Sequence, residues 1–283
     1  MKILLFGGRG QLGREIIPRA QQLNFQISSP ISTEVDINDE EQVKYLVNKI
    51  NPNVVINSAA YTAVDKAESE SELAFAVNAL GSKIVAEASY AVKAKYVYVS
   101  TDYVFDGAGK FPLGEEDKVN PQSVYGKSKL EGENLAFQAT NSEAIIIRTS
   151  SLHGVYGNNF VHSIKKVLEE KKQATVVDDQ FMSPTWAGWL AEVILDISRL
   201  QVSGVFHASC SGETSWFDFA KAIRDIAVPG AEVLPMSFKD LDRPAKRPQY
   251  SVFNTSKLEK LLGKKPLDWK KGLKNHLTDL ENI

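Results

Sequence analysis

Residues 2–13 read KILLFGGRGQLG, an apolar run followed at once by glycines in the spacing G-x-x-G-x-x-G. The apolar run lacks polar alternation, which is typical of a strand covered on both faces. Residues 14–23 continue with helical spacing. Gly7, Gly10 and Gly13 let the backbone turn tightly and let a pyrophosphate approach the positive end of that helix. The loop therefore predicts a dinucleotide site, and a glycine turn that only packs helix on strand is the alternative.

The rest of the chain repeats this alternation of strand and helix. Runs without polar alternation predict buried strands at 2–6, 25–28, 53–57, 95–100, 144–148 and 202–207. Helical spacing between them predicts helices that include 40–50, 70–92, 127–138 and 186–200. Strands that alternate with helices predict an α/β fold with a Rossmann-type doubly wound parallel sheet.

The pattern changes after about residue 212, where a second, smaller α/β lobe is expected. Its predicted elements are helices at 216–227, 257–262 and 271–280 and a strand at 232–236. Because the strand at 202–207 is predicted to return to the main sheet, this substrate-binding lobe is expected to be discontinuous. The predicted division assigns residues 1–149 plus about 174–209 to the NAD(P)-binding domain and about 150–173 plus 210–283 to the lobe.

The composition limits the classes of function. The 283 residues include 33 Lys and Arg against 35 Asp and Glu, so the net charge of −2 provides no global field for nucleic acid or an anionic membrane. No apolar run of about 18 residues predicts a membrane span, and no signal-peptide core opens the chain. The lone Cys210 and four scattered histidines predict neither a disulfide nor a zinc site. We expect a cytoplasmic enzyme without a metal.

The end of the second predicted strand indicates which cofactor is preferred. An NAD enzyme usually carries an acid there, but this chain has Ser28. A 2′-phosphate would not be repelled, and Arg9 is close enough in sequence to pair with it. We therefore expect NADPH, with NADH possible, unless Arg9 is only a solvated loop residue. Asp36 and Ile37 precede a predicted helix, so Asp36 is either a helix N-cap or a contact to the adenine.

The sequence Tyr125-Gly-Lys-Ser-Lys129 begins a predicted helix and carries the strongest catalytic signal. Residues four apart share a helix face, so the phenol and the ammonium point into one space. The Lys129 cation is expected to lower the pKa of the Tyr125 phenol and make it a usable proton donor. Ser100 and Thr101 follow a predicted strand, at the sheet edge where open α/β folds place their chemistry. Capping hydroxyls and a half-buried core tyrosine are the alternative.

Several motifs in one order resemble the dTDP-4-dehydrorhamnose reductase family of the extended short-chain dehydrogenase/reductases. The motifs are GxxGQLG at 7–13, NSAAYTAVDKAE at 57–68, STDYVFD at 100–106, YGKSK at 125–129, RTS at 148–150, NF at 159–160, DQ at 179–180 and PT at 184–185. The resemblance covers nearly the whole chain and fades after Arg247-Pro248.

The resemblance implies a role for individual residues. It makes Thr101, Tyr125 and Lys129 the catalytic triad, with Tyr125 as the general acid. The implied cofactor contacts, beyond those above, are Gln11, Leu12, Ala59, Ala60, Tyr61 and Thr62. The implied substrate contacts are Thr101, Asp102, Tyr103, Ser151, Asn159, Gln180 and Arg247. For Arg247, a guanidinium near the nucleotide diphosphate competes with a plain solvated basic loop.

The function implied by the resemblance is NADPH-dependent reduction of the C4 ketone of a nucleotide-linked 6-deoxy sugar. The expected reaction converts dTDP-4-dehydro-L-rhamnose to dTDP-L-rhamnose for polysaccharide synthesis, in a monomer or homodimer. Ser151 and Met182 replace an aromatic residue and a glycine that the family commonly has, so another 4-keto nucleotide sugar is an alternative substrate. An epimerase or dehydratase of nucleotide sugars competes with the reductase assignment, as does a non-catalytic NADP-binding regulatory subunit.

Overall fold

The structure, a computed structural model, describes residues 1–282. The strands are β1 (Lys2–Phe6), β2 (Gln26–Ser28), β3 (Val54–Asn57), β4 (Lys95–Thr101), β5 (Ile145–Thr149), β6 (Leu152–His153), β7 (Gln173–Val177), β8 (Phe181–Met182), β9 (Thr185–Trp186), β10 (Gly204–His207), β11 (Thr214–Ser215), β12 (Glu232–Met236) and β13 (Tyr250–Ser251). The α-helices are α1 (Gln11–Gln22), α2 (Glu40–Ile50), α3 (Val64–Ala67), α4 (Ser71–Phe75), α5 (Gly81–Ala91), α6 (Val124–Ala139), α7 (Phe160–Lys171), α8 (Ala187–Ser198), α9 (Trp216–Ala227), α10 (Ser256–Leu262) and α11 (Trp269–Glu281). Among residues 1–282, no helix combines the length and apolar character that crossing a membrane requires.

Six strands form one parallel sheet in the order β10-β5-β4-β3-β1-β2. All six coincide with the predicted strands to within two residues at each end. The chain reaches one edge through β2 and then returns to the other side of β1 at β3. Open α/β sheets bind their ligands at such a switch point, outside the carboxyl ends of the strands.

Helices cover both faces of the sheet, which confirms the predicted doubly wound architecture. Helices α1 and α8 pack together over one face, in a core that also takes residues from α9 and α11. Helices α2, α5 and α6 pack over the other face, around a second apolar core that includes Tyr96 and Tyr98. The strands lack polar alternation because both of their faces are buried.

A smaller lobe is built around the parallel pair β7 and β12, which α7 and α9 cover. Beside it, β8 pairs with β11 and β13. The sequence predicted a return to the main domain near residue 174, but β7 and β8 pair with strands of the small lobe. Helix α8 is the element that returns to the main sheet, where it packs on α1.

The predicted helix at 70–92 is interrupted in the structure. Helix α4 passes through a π-helical turn, Ala76–Leu80, before α5 continues. Asn78 lies in this turn and is fully buried. Its carbonyl accepts a hydrogen bond from the Tyr98 hydroxyl at 2.8 Å, and its side-chain nitrogen donates to the Ser128 hydroxyl at 2.9 Å. Such π turns are frequent at functional sites.

Candidate active site

A cleft of about 870 Å³ opens at the carboxyl ends of β1, β3 and β4. The glycine loop forms one wall. Gly7 has a φ of +86°, and a Cβ at Gly13 would lie 2.3 Å from the Gly7 carbonyl oxygen. Helix α1 begins immediately after the loop, and its N-cap residue Gly10 makes no side-chain cap. The free N–H groups at this helix start therefore face the cleft and suit a pyrophosphate.

Most of the predicted cofactor contacts line this cleft. They are Gly7, Arg9, Gly10, Gln11, Leu12, Gly13, Asp36, Ile37, Ala59, Ala60, Thr62, Tyr125 and Lys129. Ser28 and Tyr61 are not among the lining residues. Ser28 is an exposed residue at the end of β2, and the cleft is lined there by Pro30, Ile31 and Ser32 instead. The Tyr61 hydroxyl donates a hydrogen bond to Glu70.

Asp36 does not cap the helix that follows it. Asp39 is the N-cap of α2, and its side chain accepts from the Gln42 N–H at 3.0 Å. The Asp36 carboxylate instead accepts from the backbone N–H of Asn38 at 2.9 Å. Of the two interpretations of Asp36, the structure excludes the N-cap, and Asp36 lines the cleft.

Tyr125 and Lys129 lie on the first two turns of α6. Ser123 fixes this helix start, because its hydroxyl accepts from the Gly126 N–H at 3.1 Å. The Lys129 side chain is almost fully buried. Its ammonium donates to the Val99 carbonyl at 2.6 Å and lies 3.9 Å from the centroid of the Tyr98 ring. The helix and β4 together hold the ammonium at the floor of the cleft.

The acid–base properties of the pair differ from the prediction. Burial raises the pKa of Tyr125 to about 12, although a hydrogen bond with Thr101 opposes that rise. Burial also lowers the pKa of Lys129 to about 7, although the charge of Glu133 opposes that fall. The expected lowering of the tyrosine pKa by Lys129 is therefore wrong for this structure. The phenol keeps its proton because desolvation penalises the phenolate and because the ammonium is turned toward Val99.

The last residue of β4 and the turn that follows it supply hydroxyl and carboxyl groups beside Tyr125. Thr101 donates to the Asp102 carboxylate at 3.0 Å, and Ser150 donates to the other oxygen of that carboxylate at 2.9 Å. Burial raises the pKa of Asp102, although these hydroxyl donors oppose the rise. The Tyr103 ring meets the Tyr125 ring edge-on with centroids 5.4 Å apart. Thr101, Asp102, Tyr103 and Ser151 all line the cleft.

Three predicted substrate contacts, Asn159, Gln180 and Arg247, are not among the residues that line the cleft. Asn159 caps α7, and its side-chain nitrogen donates to Gln11 at 2.9 Å. Gln180 is buried and donates to the Pro248 carbonyl at 3.3 Å. Arg247 makes a two-pronged ion pair with Asp65, with N···O distances of 3.0 and 2.8 Å. Arg247 is thus bound to the second residue of α3.

Two groups of buried polar residues were missed by the sequence reasoning. The first is Asn78 with Ser128, which link the π-helical turn to α6. The second is an ion pair between Glu133 and Arg148, whose Nη2···Oε2 distance is 2.6 Å. Both groups could have been found in the sequence. Their polar residues stand at positions that the helical or strand spacing predicts to be buried, and buried polar groups need hydrogen-bond partners.

The fold and this site define an oxidoreductase of the extended short-chain dehydrogenase/reductase class, with a glycine-rich cofactor loop and a Tyr-x-x-x-Lys helix at one cleft. The model of the RmlD substrate binding domain family matches residues 1–282, so the chain belongs to that family.

Named relatives agree with this assignment. The chain is 35% identical over 278 residues to the spore coat polysaccharide biosynthesis protein SpsK of Bacillus subtilis, covering 98% of this chain and 97% of SpsK. It is similar to the crystal structure of a dTDP-4-dehydrorhamnose reductase from Clostridium acetobutylicum, with a TM-score of 0.95, 42% identity and full coverage of both chains. A dTDP-4-dehydrorhamnose reductase from Bacillus anthracis, solved in complex with NADP, gives a TM-score of 0.94 at 36% identity, over 98% of this chain and 99% of that chain.

Proposed function

We propose that this chain is an NADPH-dependent reductase that converts dTDP-4-dehydro-L-rhamnose to dTDP-L-rhamnose for polysaccharide synthesis. The observation that carries the proposal is the meeting of Tyr125, Thr101 and the glycine loop in one cleft. The names of the relatives support the substrate, since those proteins are dTDP-4-dehydrorhamnose reductases, and one of them is bound to NADP.

The cleft has the features that a dinucleotide needs. Side chains at Gly7 or Gly13 would collide with the backbone, so glycines are needed for the close packing that gives this loop its shape. The uncapped start of α1 would hold the diphosphate, and Arg9 would pair with the 2′-phosphate. Asp36 and Ile37 would border the adenine, and Lys129 would hold the nicotinamide ribose. When bound, NADPH supplies the hydride for the carbonyl carbon.

The protein residues manage the proton of the reaction. A phenol with a raised pKa is fully protonated at neutral pH, so Tyr125 always holds the proton that the ketone oxygen needs. The Thr101 hydroxyl donates a hydrogen bond to the same oxygen as negative charge develops there. In doing so it exchanges Asp102 for the substrate as its acceptor.

The sugar would rest between Asp102, Tyr103 and Ser151, which line the cleft. We propose that Arg247 reaches the nucleotide diphosphate by leaving Asp65, while Asn159 and Gln180 hold the small lobe in place from behind. In this arrangement the cofactor binds to the domain of the main sheet, and the nucleotide sugar binds to the small lobe. We further propose a cytoplasmic enzyme that works as a monomer or homodimer.

The test is an assay of NADPH oxidation by the purified protein against a panel of 4-keto nucleotide sugars. One NADPH should be consumed for each dTDP-4-dehydro-L-rhamnose reduced, with weaker activity on other sugars. An epimerase or dehydratase would regenerate its cofactor and show no net consumption. A regulatory binding subunit would bind NADPH and reduce no sugar, and either outcome would refute the proposal.

A further inference from the structure

A buried polar cluster lies behind the cleft and is not used by the proposed mechanism. Glu133 and Arg148 form its centre, with side chains 2% and 5% exposed. Arg148 Nε donates to Glu133 Oε1 at 3.0 Å, and Arg148 Nη2 donates to Oε2 at 2.6 Å. The Ser100 hydroxyl donates to the same Oε1 atom. A carboxylate that accepts three such bonds is held firmly in one place.

The cluster joins the three elements that build the catalytic site. Glu133 lies one helical turn after Lys129 on α6, so the two side chains share a helix face. Ser100 immediately precedes Thr101 at the end of β4. On the neighbouring strand β5, Arg148 is the residue directly opposite Ser100. Arg148 is in turn two residues before Ser150, which binds Asp102. A displacement of Glu133 would therefore disturb α6, β4 and β5, the elements that carry the catalytic residues and Ser150.

We propose that Glu133, fixed by Arg148 and Ser100, is a positioning residue that holds the Lys129 ammonium in its charged form at the floor of the cleft, where it binds the Val99 carbonyl. The activity part of this inference rests on the proposed function, whereas its binding part does not.

The charges around Lys129 support this assignment. The titratable group packed against it from β4 is Tyr98, whose ring lies 3.9 Å from the ammonium. On its own helix, Glu133 lies one turn after it and Tyr125 one turn before it, and Glu133 is the charged group that acts on it. Burial raises the pKa of both tyrosines, so both are neutral. Burial of Lys129 lowers its pKa, and Glu133 is the charge that opposes this. Arg148 holds the Glu133 carboxylate in place, and the charge of Glu133 favours the protonated form of Lys129.

The experiment measures NADPH affinity without sugar from pH 6 to 9 in wild type, Glu133→Gln and Glu131→Gln. Glu131 lies on the exposed side of the same helix, so its substitution removes an equal charge at a distance from the site. NADPH titrates alike in all three proteins, so a difference belongs to the protein. Because burial already brings the pKa of Lys129 to about 7, Glu133→Gln should move the fall in NADPH affinity below this pH range. The variant should therefore bind NADPH weakly even at pH 6, where wild type and Glu131→Gln bind it tightly. The alkaline limb of kcat/KM for the keto sugar should move in parallel.

The variant Glu133→Gln/Arg148→Met is a control for misfolding. It removes both buried charges together, so it leaves no unpaired buried charge that could unfold the protein. It should be as stable as wild type or nearly so, yet retain the shifted pH dependence. An unshifted NADPH profile in folded Glu133→Gln, or a wild-type profile in the double variant, would overturn the inference. A shifted binding profile in a protein that reduces no keto sugar would leave the inference standing and refute the proposed function.

Discussion

At the scale of single residues, Tyr125 shows how burial sets the protonation state of a functional group. Burial raises its pKa to about 12, so the phenol is protonated at neutral pH. Reduction of a ketone needs a proton donor, and the phenol beside Thr101 carries that proton.

Tyr125→Phe should lower kcat by about 10²–10⁴-fold, because the ring stays in place while the proton donor is removed. NADPH affinity should stay within about twofold of wild type, since a phenyl ring fills the same volume. Steady-state assays and a fluorescence titration of NADPH would measure the two effects. Tyr45→Phe, on the exposed side of α2, is the matched control and should change neither. Retention of most of the turnover would show that another group donates the proton.

Arg9→Ala should reduce kcat/KM for NADPH by about tenfold or more and leave kcat/KM for NADH nearly unchanged. The reason is that only NADPH carries the 2′-phosphate, and a charge-assisted hydrogen bond contributes about 1.5–3 kcal/mol. Initial rates with both cofactors measure the ratio, with NADH as the internal control. A wild type that prefers NADH, or an equal loss with both cofactors, would contradict the proposed role of Arg9.

The sequence predicted the residues that act through local spacing and missed the positions of those that act through distant partners. Tyr125 and Lys129 share a helix face by their spacing, and Thr101 follows a strand, so both positions were foreseeable. Arg247 binds Asp65 across 182 residues of chain, and Asn159 binds Gln11 across 148. No local pattern encodes such pairs, and the resemblance alone led to the expectation that these two residues contact the substrate.

At the scale of elements, the π-helical turn before α5 shows why helix boundaries escape sequence patterns. The apolar spacing at 70–92 is continuous and predicts one helix. The turn exists because Asn78 bonds to Tyr98 of β4 and Ser128 of α6, which belong to other elements. These tertiary hydrogen bonds offset the loss of regular helical geometry.

The glycine loop gives a prediction at this scale. Gly13→Ala should destabilise the protein by about 1–3 kcal/mol and abolish tight NADPH binding, because the added methyl would lie 2.3 Å from the Gly7 oxygen. Thermal denaturation and NADPH titration would measure both. Gly109→Ala is the control, since a Cβ there meets nothing within 4 Å. Unchanged NADPH binding in Gly13→Ala would place the cofactor diphosphate away from this loop.

At the scale of the whole molecule, the Arg247–Asp65 ion pair joins the C-terminal part of the chain to α3 across the cleft side of the fold. Arg247→Ala should raise KM for the nucleotide sugar by about tenfold or more, with NADPH affinity unchanged, if the guanidinium binds the diphosphate. Asp65→Ala breaks the same pair but leaves the arginine free, so its KM should not rise. Equal increases of KM in both variants would show that the ion pair is structural.

Three of the four histidines, scattered in the sequence, form one chain in space. His153 and His276 are joined through their Nδ1 atoms at 3.0 Å, and His276 Nε2 lies 3.2 Å from His162 Nε2. Within residues 1–282, no group of three or more His, Cys, Asp or Glu has an arrangement that would hold a metal ion. The chain links β6, α7 and α11, and so connects both parts of the fold.

This histidine chain should make the protein sensitive to acid. Burial lowers the pKa of His276 to about 3, so the unfolded state gains a proton below about pH 6.5 while the folded state does not. The stability is complete above pH 6.5 and falls steadily toward pH 3. At pH 5, His276 alone should reduce the free energy of unfolding by about 2 kcal/mol. Urea denaturation at pH 7.5 and 5.0 should show a smaller loss in His276→Asn than in wild type; an equal loss would mean that other groups cause it.

The late position of α11 in the chain has a consequence for the nascent protein at the ribosome. Strands β1 to β5 are complete by residue 149, yet the face that α1 begins to cover also needs α8 and the side chains Trp269, Leu273 and Leu277 of α11. At a synthesis rate of about 5–20 residues per second, that face stays open for on the order of ten seconds. During this interval the growing chain exposes an apolar surface. A chaperone that binds such surfaces should therefore bind this chain before α11 has been synthesised.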